Sequence, residues 1–265
     1  MNDQPIKKQT FLQGTAVLAM ATVLVKLMGF LFKVPLNNII GEDGFGYFNT
    51  AYDVYNVLLM ISTTGLPVAM SRMISQAQTL GNHAQIKRIY RTSLYVFLTI
   101  GMVGSLGMLF FCRQLSVMVT TNENSWAAIA ALAPCVLLIC LVSAYRGFFQ
   151  GQSNMTPTSV SQIFEAVTRL VVGLGLAWLV MKLTGKAYVR MQGIVLAPGE
   201  TAQDYGDITL AAGGAILGVT LGSLISVVYL HHKFRQSNQI LSLGGGTAKS
   251  TRSTMKELLS IAVPI

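Results

Sequence analysis

The chain has 265 residues, of which 52% are hydrophobic and only 11% are charged, and its mean hydropathy is +0.55. A soluble domain usually carries about 25% charged residues, so this chain lacks the polar surface to coat a water-soluble globule. The net charge of +9 would suit nucleic acid, but the basic residues are spread over many short segments and form no arm or stripe. The composition therefore excludes an ordinary soluble domain, argues against nucleic-acid binding and indicates an all-α polytopic membrane protein.

Six apolar stretches are long enough to cross a membrane, which takes about 20 mostly apolar residues. The first is too long for a signal peptide and no small-residue cleavage site follows it, so we predict a retained span. Five of the six stretches contain either no charged residue or only one, and the fifth stretch contains two. In chain order, the predicted spans are 10–32, 46–70, 92–111, 126–145, 160–181 and 208–230.

After the sixth span comes the basic segment "GGGTAKSTRSTMKE", and then the apolar run "LLSIAVPI" to the last residue. This run is too short to cross a bilayer. We therefore predict a six-helix transmembrane lobe over 1–243, a cytoplasmic linker over 244–257 and the start of a seventh helix over 258–265. On this interpretation the chain is the N-terminal half of a longer protein.

The orientation follows from the basic residues, because Lys and Arg remain preferentially on the cytoplasmic side. With the N-terminus inside, twelve of the 19 Lys and Arg residues fall in cytoplasmic segments and five in outer segments. The other two lie within spans. The sequence therefore predicts a cytoplasmic N-terminus.

Lys26 is the charged residue of the first span, in "VLVKLMGF". A charge at the centre of a membrane helix costs at least ~2.5 kcal/mol on insertion scales, so it requires a polar environment. Either its ammonium group reaches the membrane surface along the apolar stem, or it lines a cavity that receives an anion. The sequence leaves both possibilities open.

Polar side chains recur along the second span at helical spacing. Asn49, Asp53 and Asn56 lie at i, i+4 and i+7 and therefore form one stripe. A face in contact with lipid would not carry such a stripe. It belongs either to a packed, hydrogen-bonded seam between helices or to the wall of a water-filled cavity.

The fifth span contains two charges, Glu165 and Arg169, at i and i+4 with the acid first, which is the favoured order for an ion pair. The pair is either a structural contact or part of a binding site, since an arginine presents a planar fork of donors suited to phosphate. Its depth depends on where the helix begins. The sequence offers a start at 156–157 with proline in the first turn, or a capping box formed by Ser159 and Gln162.

Two further patterns concern packing. Gly214, Gly218 and Gly222 recur every four residues along the sixth span and predict a close approach to another helix. Pro67, next to Gly65 in the second span, predicts a kink there.

Two stretches together resemble the SpoVB/MurJ-type flippases of the multidrug/oligosaccharidyl-lipid/polysaccharide exporter superfamily. They are "LVKLMGFLFKVPLNNIIGEDGFGYFNTAYDVYNVLLMISTTGLPVAMSRMIS" and "YRGFFQGQSNMTPTSVSQIFEAVTR", and "SIAVPI" is similar to the start of the seventh helix in that family. The resemblance implies a MATE-like fold with two six-helix lobes around a central cationic cavity. Lys26 matches a basic residue that the MurJ branch carries late in its first helix. A second basic residue of that branch has no counterpart at 58–60, so the resemblance is greater to the SpoVB branch.

The resemblance implies a flippase that moves an undecaprenyl-diphosphate-linked saccharide, such as lipid II or a polysaccharide precursor, across the bacterial cytoplasmic membrane by alternating access. Its partners would be that substrate, membrane lipids and the C-terminal lobe, and the biological setting would be cell-wall synthesis or sporulation. The candidate substrate-binding residues are Lys26, Asn49, Asp53, Asn56 and Arg169.

Three other functions were weighed against this one. A cation-coupled MATE-type drug exporter usually carries an acidic residue in its first helix, whereas 10–32 contains none. A non-transporting membrane scaffold would have a packed, dry stripe in the second span. An enzyme is not expected, because the sequence has no nucleophile constellation and no large soluble domain. We also expect no metal site and no cofactor.

Overall fold

A computed structural model describes residues 11–63, 65–120, 125–192, 206–241 and 250–262. The elements run in the order α1 Phe11–Thr63, α2 Gly65–Thr79, α3 His83–Phe110, α4 Cys112–Thr120, α5 Trp126–Gly151, α6 Thr156–Thr168, a π-helical turn Arg169–Gly173, α7 Leu174–Gln192, α8 Ile208–Leu241 and α9 Thr251–Ala262. Every regular element in this part of the chain is a helix, so the predicted all-α class is confirmed.

In the described residues, five helical segments are long and apolar enough to cross a membrane: 12–57, 83–110, 126–151, 156–189 and 208–237. They overlap the six predicted spans, since 12–57 takes in most of the first span and the beginning of the second, and the count of six stays a prediction. The protein is therefore a multi-pass membrane protein. Several helices extend beyond the predicted spans, since a helix can continue past the hydrocarbon layer where its apolar pattern stops.

Helix α1 reverses direction at Gly41. Its 53 residues would extend about 80 Å if straight, against about 30 Å for the hydrocarbon layer. Gly41 has φ 70° and ψ 179°, a conformation that glycine adopts far more readily than other residues. The rings of Phe32 and Phe48 lie 5.6 Å apart, whereas sixteen residues of straight helix would separate them by about 24 Å. We call the two antiparallel halves the first arm (11–40) and the second arm (42–63), and they correspond to the first two predicted spans.

The second predicted span, 46–70, falls on the second arm and on α2. The second arm is described to Thr63 and α2 from Gly65, and residue 64 lies outside the described residues. Pro67 is helical within α2, and the kink predicted there stays a prediction.

Helix α9 begins at Thr251, inside the segment predicted as a linker and seven residues before the predicted seventh helix. Its Thr254 and Leu258 are buried, and a methyl group added at Gly65 of α2 would collide with the backbone carbonyl of Ala262. Helix α9 therefore packs against α2. Part of the predicted linker, 244–249, lies outside the described residues, and the division into domains stays a prediction.

Helices α5 and α8 form the centre of the bundle. In each of them 61% of an apolar 18-residue stretch is buried inside the bundle, against 22% or less in the other three membrane segments. One apolar core joins both arms of α1 to the N-terminal halves of this central pair, and a second core joins α2 and α3 to its C-terminal halves. The remaining surface is rich in exposed leucine, valine and phenylalanine, as expected for helices in lipid.

The glycine face of α8 packs tightly against the segment that carries the predicted ion pair. A methyl group at Gly218 would collide with the backbone of Gly173, and one at Gly222 would lie 2.9 Å from the carbonyl oxygen of Glu165. The predicted close helix approach is confirmed. This contact fixes the positions of Glu165 and of the π-helical turn along the axis of α8.

Candidate functional site

Helix α6 starts at Thr156 with Pro157 in its first turn, as one of the two predicted starts required. Proline is well suited to this place because the N–H that it lacks would have no helical partner. The alternative start, a capping box from Ser159, is wrong. Ser159 lies inside the helix, and its buried hydroxyl has no hydrogen-bond partner among the described residues.

The predicted ion pair forms: Nη2 of Arg169 lies 3.4 Å from Oε1 of Glu165. Glu165 is only 8% exposed, so its carboxylate is withdrawn from water and depends on a neighbouring cation. Its backbone is held by Gly222 of α8, as described above.

Arg146 is a second partner of Glu165. Its Nη2 lies 3.1 Å from Oε2 of Glu165, closer than Arg169. The sequence predicts Arg146 in a cytoplasmic segment, because the predicted fourth span ends at residue 145. Helix α5 in fact continues to Gly151, and the aromatic pair that follows Arg146 in "YRGFFQG" was the signal that the helix goes on.

Serine side chains hold this region together. Nε of Arg146 donates to Oγ of Ser161 at 3.1 Å, and Oγ of Ser161 donates to the carbonyl of Thr158 at 2.7 Å. Ser226 of α8 donates to the carbonyl of Ser161 at 2.8 Å. Arg146 and Glu165 are therefore fixed by contacts from three helices, α5, α6 and α8.

Arg169 opens the π-helical turn Arg169–Gly173, a local widening that is frequent at functional sites. Its guanidinium lies over the ring of Tyr52 on the second arm, 5.5 Å from the ring centre, a favourable cation–π geometry. Its Nε is buried and has no hydrogen-bond partner among the described residues. Arg169 thus has fixed neighbours on α6 and the second arm, and its Nε is a buried donor without a partner in the described part of the chain.

Lys26 lines the same cavity as these three charged residues. The cavity has a volume of about 290 Å³ and is bounded by Lys26 and Thr22 of the first arm together with Arg146, Glu165 and Arg169. We call it the Lys26 cavity. Three cations and one carboxylate give it a formal charge of +2. Lys26 lines this cavity and is also exposed, so the choice between the two possibilities for it stays a prediction.

The polar stripe lies outside the lining of this cavity. Asn49 is half-buried, whereas Asp53 and Asn56 are exposed. Asp53 follows Tyr52 directly and is therefore turned by about 100° from the ring that faces Arg169. The structure thus brings Lys26 and Arg169 together and leaves the stripe on a neighbouring surface of the second arm.

The chain matches the family model "Polysaccharide biosynthesis protein" over residues 11–265. Among curated proteins it is similar to stage V sporulation protein B of Bacillus subtilis strain 168, at 29% identity over 97% of this chain and 46% of that protein. It is also similar to the lipid II flippase MurJ of the same strain, at 26% identity over 96% of this chain and 45% of that protein. The chain spans about half the length of the curated relatives it matches.

Solved structures show the same fold. A MATE protein in its bent conformation aligns with a TM-score of 0.63 over 95% of this chain and 52% of that chain, at 13% identity. A MOP superfamily transporter from Pyrococcus furiosus aligns with a TM-score of 0.60 over 95% of this chain and 51% of that chain, at 12% identity. The predicted MATE-like fold is confirmed. Because the family model covers nearly the whole sequence, the chain belongs to the polysaccharide biosynthesis protein family.

Proposed function

We propose that this chain forms one lobe of a flippase that carries a polyprenyl-diphosphate-linked saccharide across the membrane. The observation that carries the proposal is the Lys26 cavity, where Lys26, Arg146 and Arg169 surround a single carboxylate. The surplus charge of +2 is equal and opposite to the two negative charges of a diphosphate diester. The similarity to a protein named lipid II flippase supports the same substrate class.

A diphosphate entering a membrane loses its hydration, which is very unfavourable unless protein groups replace the water. Arg169 offers donors in a planar fork, and one of them is buried without a partner among the described residues, so it suits a phosphate oxygen. Lys26 is exposed and contributes a mobile point charge at the edge of the cavity. Arg146 mainly compensates the charge of Glu165, so the remaining positive charge of the cavity is carried by Lys26 and Arg169.

The cavity is small for a saccharide, since ligand pockets usually measure about 300–1,000 Å³. In our proposal only the diphosphate occupies it. The sugars contact Asn49, Asp53 and Asn56 on the second arm, while the polyprenyl tail stays in lipid. A second lobe completes the cavity and moves relative to this one, giving alternating access. The membrane is the bacterial cytoplasmic membrane, with the N-terminus inside.

Two other functions fit the site less well. A cation-coupled drug exporter would need an acidic site in the first helix, yet the first arm has no Asp or Glu, and the Lys26 cavity would repel a cationic drug. A scaffold would bury the polar stripe against other helices, yet Asp53 and Asn56 are exposed in this lobe.

Binding of undecaprenyl diphosphate to the purified chain in detergent tests the proposal. We expect Lys26→Gln and Arg169→Gln each to weaken binding about tenfold, because each removes a charge-assisted contact. Lys33→Gln is the matched control, because it removes an exposed cation from the same arm, outside the cavity lining. The affinity for undecaprenyl monophosphate should fall less in the Arg169→Gln variant than the affinity for the diphosphate does. Equal affinities for the Lys26→Gln and Lys33→Gln variants would refute the proposed site.

A further inference from the structure

A second cavity lies between α3 and α9 and shares no lining residue with the Lys26 cavity. Its volume is about 660 Å³, and Lys87, Arg88 and Arg91 of α3 all line it. Among its lining residues in the described part of the chain there is no carboxylate. We call it the α3–α9 cavity, and its three cations are not balanced within it.

Helix α9 forms a fixed wall of this cavity. Nη1 of Arg88 donates to Oγ1 of Thr251 at 2.7 Å, and the next turns of α9 bury Thr254 and Leu258 against the bundle. Met255 adds an apolar side chain to the lining. The cavity is therefore built by two packed helices and is more than a row of surface cations.

The buried hydroxyl of Thr92 is a second indication that this cavity suits a polar ligand. It lines the cavity, is 4% exposed, and its Oγ1 has no hydrogen-bond partner among the described residues. Buried hydroxyl groups are normally hydrogen-bonded. An acceptor oxygen bound in the cavity would satisfy this hydroxyl together with the neighbouring guanidinium groups.

The cavity lies where α3 enters the membrane. The cations precede the apolar segment 92–111 directly, and Tyr95, which also lines the cavity, is 66% exposed. Basic residues and tyrosine at the end of a span are typical of the membrane–water interface. Further along the same face of α3, Met102, Val103 and Leu106 are exposed and give an apolar track into the hydrocarbon layer.

We propose that the α3–α9 cavity binds the headgroup of an anionic phospholipid. The phosphate lies among Arg88, Arg91 and Thr92, and the acyl chains run along the apolar track of α3. Basic pockets between membrane helices bind such headgroups for the same electrostatic reason. The lipid would come from the leaflet on the side where α1 begins, because the reversal at Gly41 returns the chain to that side before α3 starts.

Native mass spectrometry of the purified chain, titrated with phosphatidylglycerol, tests this site. We expect Arg88→Gln with Arg91→Gln to lower the affinity for phosphatidylglycerol about tenfold. Arg72→Gln with Arg235→Gln is the matched control, because it removes two exposed cations from α2 and α8, outside this lining. The control pair should change affinity less than about twofold. An equal loss of phosphatidylglycerol affinity in the site pair and in the control pair would show that the lipid is attracted by diffuse positive charge, and it would overturn the proposed site.

Two further variants test the site in case the Arg88→Gln, Arg91→Gln variant fails to fold. Arg88→Lys with Arg91→Lys keeps the charge and should retain most of the binding, whereas Thr92→Val should weaken it while leaving the protein folded. Unchanged binding by the Thr92→Val variant would contradict the assigned phosphate position.

The source of the phosphate is tested separately. Inorganic phosphate at the lipid concentration should not displace phosphatidylglycerol, and displacement would assign the cavity to a free anion instead. Binding of undecaprenyl diphosphate should fall in Lys26→Gln but not in the Arg88 and Arg91 pair. The reverse result would place the cavity on the substrate path and overturn the phospholipid assignment, so failure here is distinguishable from failure of the proposed function.

Discussion

Glu165 sits between two guanidinium groups, Arg146 at 3.1 Å and Arg169 at 3.4 Å. A buried carboxylate requires at least one cation, because an uncompensated charge in a low-dielectric interior is strongly destabilising. With two cations present, the carboxylate remains paired when one of them binds another group. One of them is therefore available to an anionic ligand, which is how one cluster can serve both packing and binding.

A mutant cycle measures this sharing. We expect Arg146→Gln and Arg169→Gln each to lower the free energy of unfolding by about 1–2 kcal/mol, since each removes one charge-assisted hydrogen bond. The double variant should lose about 3–5 kcal/mol, more than the sum of the small losses, because Glu165 is then unpaired. Reversible unfolding in mixed micelles provides the measurement.

The control for that cycle is the triple variant with Glu165→Gln added. It removes the unpaired charge and should recover much of the stability. If the losses of the two arginine variants simply add, and Glu165→Gln gives no recovery, then the two arginines do not share the carboxylate.

At the scale of the element, the glycine face of α8 sets the position of the site. Gly218 meets the backbone of Gly173 at the end of the π-helical turn, and Gly222 meets Glu165. Side chains at these positions would push α6 and α7 away from α8. Arg169, which opens the turn, would move with them relative to Lys26 on the first arm.

Gly218→Ala should therefore destabilise the protein by about 1–3 kcal/mol, the usual cost of overpacking, and should weaken binding of undecaprenyl diphosphate. Gly175→Ala is the matched control, because nothing lies within 4 Å of a methyl group there. The control should be neutral or stabilising by up to about 1 kcal/mol, from helix propensity alone. Thermal unfolding of both variants decides the question, and equal midpoints would contradict the role of the glycine face.

At the scale of the whole molecule, the predicted orientation places the N-terminus and the connections after α2, α5 and α8 on the cytoplasmic side. Single cysteines at Ser153 and Gln236, in a variant without the native cysteines, should resist membrane-impermeant reagents in intact cells. Ser153 is preferable to Gly151, where a side chain would collide with Ile74. Glu42, next to the reversal of α1, should label readily as a cysteine. Ready labelling at Ser153 would contradict the orientation.

One lobe should not transport by itself, because alternating access requires two lobes around a shared cavity. Expressed in cells depleted of their own flippase, residues 1–265 alone should fail to restore growth. Coexpression with a matching second lobe should restore it, with protein levels and lipid accumulation measured together. Rescue by a monomeric single lobe would refute this expectation, and a crosslinking assay would identify rescue by a homodimer.

The features that depend on local order could be predicted from the sequence alone. Hydropathy marked the membrane segments, the 3.6-residue period paired Glu165 with Arg169, and the glycine spacing predicted the tight face of α8. Only the tertiary structure placed Arg146 on Glu165, nineteen residues away, Tyr52 under Arg169 and Lys26 in their cavity. The physical reason is that these contacts join different helices. Their formation depends on where α1 reverses and how closely α8 approaches α6, and no periodicity within a single segment encodes either distance.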